Sequence, residues 1–78
     1  IGAPDDDLLA ALLVKLFGDR QLAVAEDVIG YLIRRMERSF ATARTVVEAL
    51  DRCSLQSQRP VTVALARAVL EPQQAEVD

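Results

Sequence analysis

Apolar residues come in adjacent pairs that recur every four positions: Leu8/Leu9, Leu12/Leu13 and Leu16/Phe17, then Val28/Ile29, Leu32/Ile33 and Met36. A spacing of four returns a side chain to the same face of a helix, whereas a half-buried strand alternates in twos. The pattern therefore restricts the chain to amphipathic helices that each bury one stripe. Hydrophobic residues make up 51% of the 78 positions, but only three are aromatic, so the core must come from Leu, Val, Ile and Ala. That mixture suits packed helices better than a sandwich or barrel, which would draw on β-branched and aromatic runs between turns.

Capping signals divide the chain into four helices. The first is expected from about Asp5 to Phe17: Pro4 stops any upstream helix, Asp5, Asp6 and Asp7 suit the positive end of the dipole, and Gly18 is placed to end it. Gln21 to Val24 forms a short extended link, and the second helix spans roughly Ala25 to Met36 with Glu26 and Asp27 in its first turn. Ser39 caps a third helix reaching about Leu55, whose stripe is Phe40, Ala43, Val47, Leu50 and Ser54, widened by Val46 and Cys53. Arg59, Pro60 and Val61 make a second extended link, and Thr62 caps a last helix through Leu70. The two links are placed to pair as a minimal two-strand contact. Glu71 to Asp78 has no stripe and reads as a disordered C-terminal tail. The expected fold is all-α, a compact four-helix domain over residues 5–70.

Several function classes drop out. A chain of 78 residues is one small domain, and its first residue, Ile1, makes it read as part of something longer. The net charge of −3 leaves no global footprint for nucleic acid, so direct nucleic-acid binding is not expected. With no His and a single Cys53, there is no Ser-His-Asp or Cys-His unit, no disulfide and no thiolate zinc site; a reduced, cytoplasmic setting follows. Neither a P-loop nor a G-x-G-x-x-G pattern occurs. Asp5, Asp6 and Asp7 are no metal site, because consecutive helical residues point roughly 100° apart and cannot converge on one ion. No apolar run approaches the roughly 18 to 20 residues that span a bilayer, and no signal-peptide pattern opens the chain. No catalytic unit is present, and the chain by itself is not expected to be an enzyme.

Arg34, Arg35, Arg38 and Arg44 fall within eleven residues. Arg44 lies roughly 100° from the centre of the stripe through Ala43, Val47 and Leu50. Spacing alone leaves two readings. In the first, Arg44 is a solvated residue paired with Glu48, four positions on, and Asp51, seven positions on. That order, Arg before Glu, is the weaker one and contributes only about 0.2–0.5 kcal/mol. In the second, its guanidinium serves an anion held outside this chain. A small DNA-binding domain using the arginine cluster and a self-standing helical interaction module are further alternatives.

The stretches "PDDDLLAALLVKLFGDRQLAV", "VIGYLIRRMERSFATARTVVEALDR" and "RPVTVALARAVL" resemble the helical lid of DnaA-type AAA+ proteins over about residues 3 to 70, the Hda branch in particular. In that superfamily a Pro-Asp follows the last strand of the ATPase core; Pro4 and Asp5 match it, which makes residues 1–4 the linker and Pro4 with Asp5 the hinge. Aligning the family's Arg-x-x-x-x-Ala-Leu-Asn on "ARTVVEALDR" puts the sensor-2 arginine at Arg44, with Ala49, Leu50 and Asp51 in the following positions. The resemblance implies a lid that closes over ADP or ATP, with Mg, bound by the core of the full-length parent, while this fragment itself holds no cofactor. It also implies control of chromosomal replication initiation, with DnaA and the DNA polymerase sliding clamp as partners of the parent. The family's P-loop and arginine finger belong to the core rather than the lid, and the ending "EPQQAEVD", without a helix-turn-helix, is similar to that of Hda-type proteins. Arg34, Arg35 and Arg38 become candidates for contacting nucleotide or a neighbouring subunit, and Lys15 and Arg20 for facing the core. An isolated lid is further expected to expose apolar surface through which copies could form a homo-oligomer.

Overall fold

Asp5 accepts a hydrogen bond from the Leu8 backbone N–H at 2.9 Å and so sets the start of α1, Asp6–Asp19. A computed structural model describes residues 4–70 of the chain. Among these, three further helices follow: α2, Glu26–Arg35; α3, Phe40–Ser57; and α4, Val63–Leu70. Ser39 caps α3 by accepting from the Thr42 N–H at 3.0 Å, and Thr62 caps α4 by accepting from the Leu65 N–H at 3.2 Å. The Ser39 hydroxyl also donates to Thr42 Oγ1, which donates to Glu37, so the turn into α3 is tied down by its own side chains. The expectations for residues 1–3 and for the tail at 71–78 lie outside the described residues.

The helix ends depart from expectation in one place. Gly18 does not terminate α1; it lies inside the helix, and the left-handed residue comes later, at Gln21 with φ 60°. Backbone N–H groups of Arg20 and Leu22 both donate to Phe17 O, and that of Gln21 donates to Gly18 O, so the ladder carries on past the glycine. The same device closes α3. Gln58, with φ 55°, is left-handed, and the Arg59 N–H reaches back to Ser54 O at 3.1 Å.

The expected two-strand contact between the links is not formed; no residue among those described is in a strand. The backbone groups it would need are engaged elsewhere. Leu22 N–H is tied to the end of α1, Arg59 N–H to the end of α3, and Pro60 has no N–H to offer.

The centre of each stripe goes inward, while Leu8, the first of the paired positions, is 50% exposed. Leu9, Leu13 and Phe17 of α1, Val28 and Leu32 of α2, Ala43, Val47 and Leu50 of α3 and Ala66 of α4 are all but sealed from solvent. Burying one such Leu stabilises the fold by about 1.5–3 kcal/mol relative to leaving it exposed. Phe40, expected on the α3 stripe, is instead 48% exposed. It is the first residue of its helix, and a helical side chain leans back over the turn before it, away from the body of the helix. On α2, Tyr31 is more buried than Ile33, and Arg35 covers its ring from 5.4 Å.

The helices close a circuit. α1 packs on α2 and α3, and α4 packs on the same two; α1 and α4 are not in backbone contact, nor are α2 and α3. Two ion pairs give the relative direction of α1 and α3. Asp6, at the start of α1, pairs with Arg38, just ahead of α3, while Arg20, at the end of α1, pairs with Asp51 far along α3. The two helices therefore run the same way.

Candidate functional site

Arg44 sits one turn into α3, beside Ala43, which is fully buried. Its face of the helix continues through Val47, Glu48 and Asp51, at three, four and seven residues on. Where α3 lies along the end of α1, this face borders a shallow cavity of about 230 Å³ lined by Leu16, Arg20, Arg44, Val47 and Glu48. Leu16 and Val47 form its apolar floor, and the rim carries two guanidinium groups and one carboxylate.

The pairing expected for a solvated Arg44 is not the one formed. Glu48 and Asp51 turn to Arg20 instead, at 3.9 Å and 2.8 Å. Among the described residues Arg44 is exposed and makes no ion pair. A physical reason lies in the competition between partners. Arg20 meets Asp51 with a short, charge-assisted hydrogen bond from a neighbouring helix. The intrahelical alternative has the less favourable order and forms across solvent.

The motif residues after Arg44 are each accounted for. Ala49 is half-buried, Leu50 is fully buried in the core, and Asp51 is the anchor of the Arg20 bridge, its side chain 19% exposed. Leu50 fixes how α3 is rolled against the core, and that roll leaves Arg44 outside. Pro4 is buried, and Asp5 is engaged as the α1 cap.

The other arginines do not converge on this cavity. Arg38 is drawn to Asp6, ten residues along α1 from Leu16, a separation of about 15 Å at the rise of a helix. Arg34 is exposed, and Arg35 lies over Tyr31. Lys15 pairs with Asp19 at 3.7 Å on the exposed side of α1. A second depression, of about 260 Å³, is lined by Arg59, Pro60, Thr62, Ala64, Leu65 and Ala68 beside α4. Arg59 is the charged residue on its lining. Among the described residues no three His, Cys, Asp or Glu side chains are grouped to hold a metal ion, and no helix is long and apolar enough to cross a membrane.

Sequence reasoning placed Arg44 on the correct side of α3 but missed Arg20 as the residue that takes its carboxylates. The signal was weak, because Arg20 and Asp51 are 31 residues apart and neither belongs to a local motif. Glu48 and Asp51, three apart on one face, hinted that a cation from elsewhere could engage both.

No solved structure matches the chain. A family model described as Hda, lid domain matches residues 5–70, from the α1 cap to the last residue of α4. The match bears out the resemblance seen in the sequence and covers all four described helices, so this chain belongs to the Hda lid-domain family.

Proposed function

We propose that this domain closes over an adenine nucleotide held by an ATPase core outside the chain, and that Arg44 senses the phosphates. The observation that carries the reading is the state of Arg44: exposed on the cavity rim, with the carboxylates that follow it on α3 engaged by another cation; the resemblance supports it by aligning the sensor-2 arginine with this residue. A guanidinium offers permanently charged donors in a fork that matches phosphate oxygens. Set on a helix whose roll is locked by Leu50, it would move with the whole lid.

On this reading Pro4 and Asp5 form the hinge, and the parent binds ADP or ATP with Mg. The chemistry belongs to the core, so the 78-residue chain alone neither hydrolyses ATP nor binds it tightly. Arg34, Arg35 and Arg38, none of which lines the Arg44 cavity, are the candidates for contacting nucleotide or a neighbouring AAA+ subunit. The pathway is control of chromosomal replication initiation in the cytoplasm, with DnaA and the polymerase sliding clamp as partners of the full-length protein.

ADP affinity of the full-length protein, with and without Arg44→Ala, tests the reading. Loss of a charge-assisted hydrogen bond to phosphate weakens binding by about 1.5–3 kcal/mol. Unchanged affinity returns Arg44 to ordinary solvated surface and removes the sensor role. A second reading, a helical interaction module, draws on Val14 and Leu55, which are 58% and 70% exposed. A molecular mass that rises with concentration favours it.

A further inference from the structure

We infer that Arg20 is a positioning residue for Arg44: by holding Asp51 and Glu48 it keeps the Arg44 guanidinium clear of the carboxylates of its own helix and open to an anion. The consequence for nucleotide rests on the sensor reading above; the effect on Arg44 itself does not.

The face of α3 that carries Arg44 is, on its own, self-neutralising. Arg44, Glu48 and Asp51 stand at i, i+4 and i+7, so the arginine has one acid a turn away and a second two turns away. Left alone, such a face draws its cation toward its own anions, though only weakly in this order. Arg20 prevents this from the neighbouring helix. Its Nη1 lies 2.8 Å from Asp51 Oδ2 and its Nη2 lies 3.9 Å from Glu48 Oε2, one prong of the fork toward each acid.

The position of Arg20 is built in. Its backbone N–H bonds to Phe17 O at 3.1 Å, and the left-handed Gln21 then turns the chain away, leaving residue 20 at the end of α1. A cation is favoured there by the helix dipole. Asp51 is the anchor, at 19% side-chain exposure, while Glu48, at 58%, is the acid free to change partners. Arg20, Arg44 and Glu48 line the same cavity, so a released Glu48 has Arg44 within the same pocket. Arg20 thus acts on Arg44 through Glu48.

The experiment follows the Arg44 side-chain Nε–H by nitrogen-15 relaxation in the labelled 78-residue chain, as wild type, Arg20→Ala, Glu48→Gln and the double variant. Arg20→Ala is expected to raise the order parameter of the Arg44 Nε–H as Glu48 swings onto it. Glu48→Gln alone leaves it unchanged, and the double variant restores the wild-type value. An Arg44 signal that ignores Arg20→Ala, or a change that persists in the double variant, overturns the inference. Should Arg20→Ala reduce helicity, Arg20→Gln, which keeps the stem without the charge, gives the same comparison.

In the full-length protein the same cycle is read as ADP affinity. Arg20→Ala weakens binding roughly twofold with Glu48 present, the size of one i,i+4 pair, and much less in the Glu48→Gln background. Additive effects in the two backgrounds would mean that Arg20 acts only as a distant charge, and the coupling would be refuted. Arg44→Ala separates the two ideas. If it leaves ADP affinity intact while the relaxation cycle holds, the sensor reading fails and the positioning stands. If it weakens binding while the relaxation cycle is flat, the reverse follows.

Discussion

The hydroxyl of Tyr31 is buried and donates to nothing among the described residues, although Arg35 covers the ring. An orphaned polar group of this kind costs about 1–3 kcal/mol. Tyr31→Phe keeps the ring and removes the orphan, so thermal or urea unfolding of the chain should show it more stable by about 1 kcal/mol. Lower stability would mean that the hydroxyl has a partner. Tyr31 was not legible as core, because the paired pattern on α2 pointed to Ile33. Arg44 was legible in one respect only. Helical period placed it off the stripe, but whether it was paired depended on Arg20, which approaches from a different helix. Side and partner are separate questions, and a single helix answers the first.

Three of the four helix starts were readable from their first residue: Asp5, Ser39 and Thr62 each accept from a backbone N–H three positions on. α2 is the exception. Its cap is Ala25, whose backbone is extended at φ −75° and ψ 161° but whose side chain can accept nothing. Ala25→Ser supplies the missing acceptor and is expected to stabilise the chain by about 1 kcal/mol, read as a higher denaturation midpoint at unchanged m. No gain would mean that the Ala25 backbone cannot bring a hydroxyl to the first turn. Helix ends were less readable than starts. A glycine is a good signal for a left-handed cap, but here Gln21 and Gln58 take that conformation while Gly18 stays helical. The carbonyls at the ends of α1 and α3 found donors in whichever residues came next, and no residue type marks that in advance. The paired links failed for a related reason, since two extended segments form a ladder only with free N–H groups.

A domain of this size buries only about 60% of the surface its unfolded chain exposes, so its stability margin is thin. Leu50→Ala, at the centre of the core, is expected to cost about 2–5 kcal/mol and to leave the chain largely unfolded at room temperature by circular dichroism. A folded variant would mean that the neighbouring helices can collapse into the space. Architecture was the most legible level of all: number of helices, order and buried faces followed from spacing, because the core needs every stripe. The order of contacts did not, and it has a mechanical consequence. Each helix leans on two others in a closed loop, so none can be peeled away by giving up one neighbour alone. On the sensor reading proposed above, a pull applied at Arg44 is shared between α1 and α4, the two neighbours of α3.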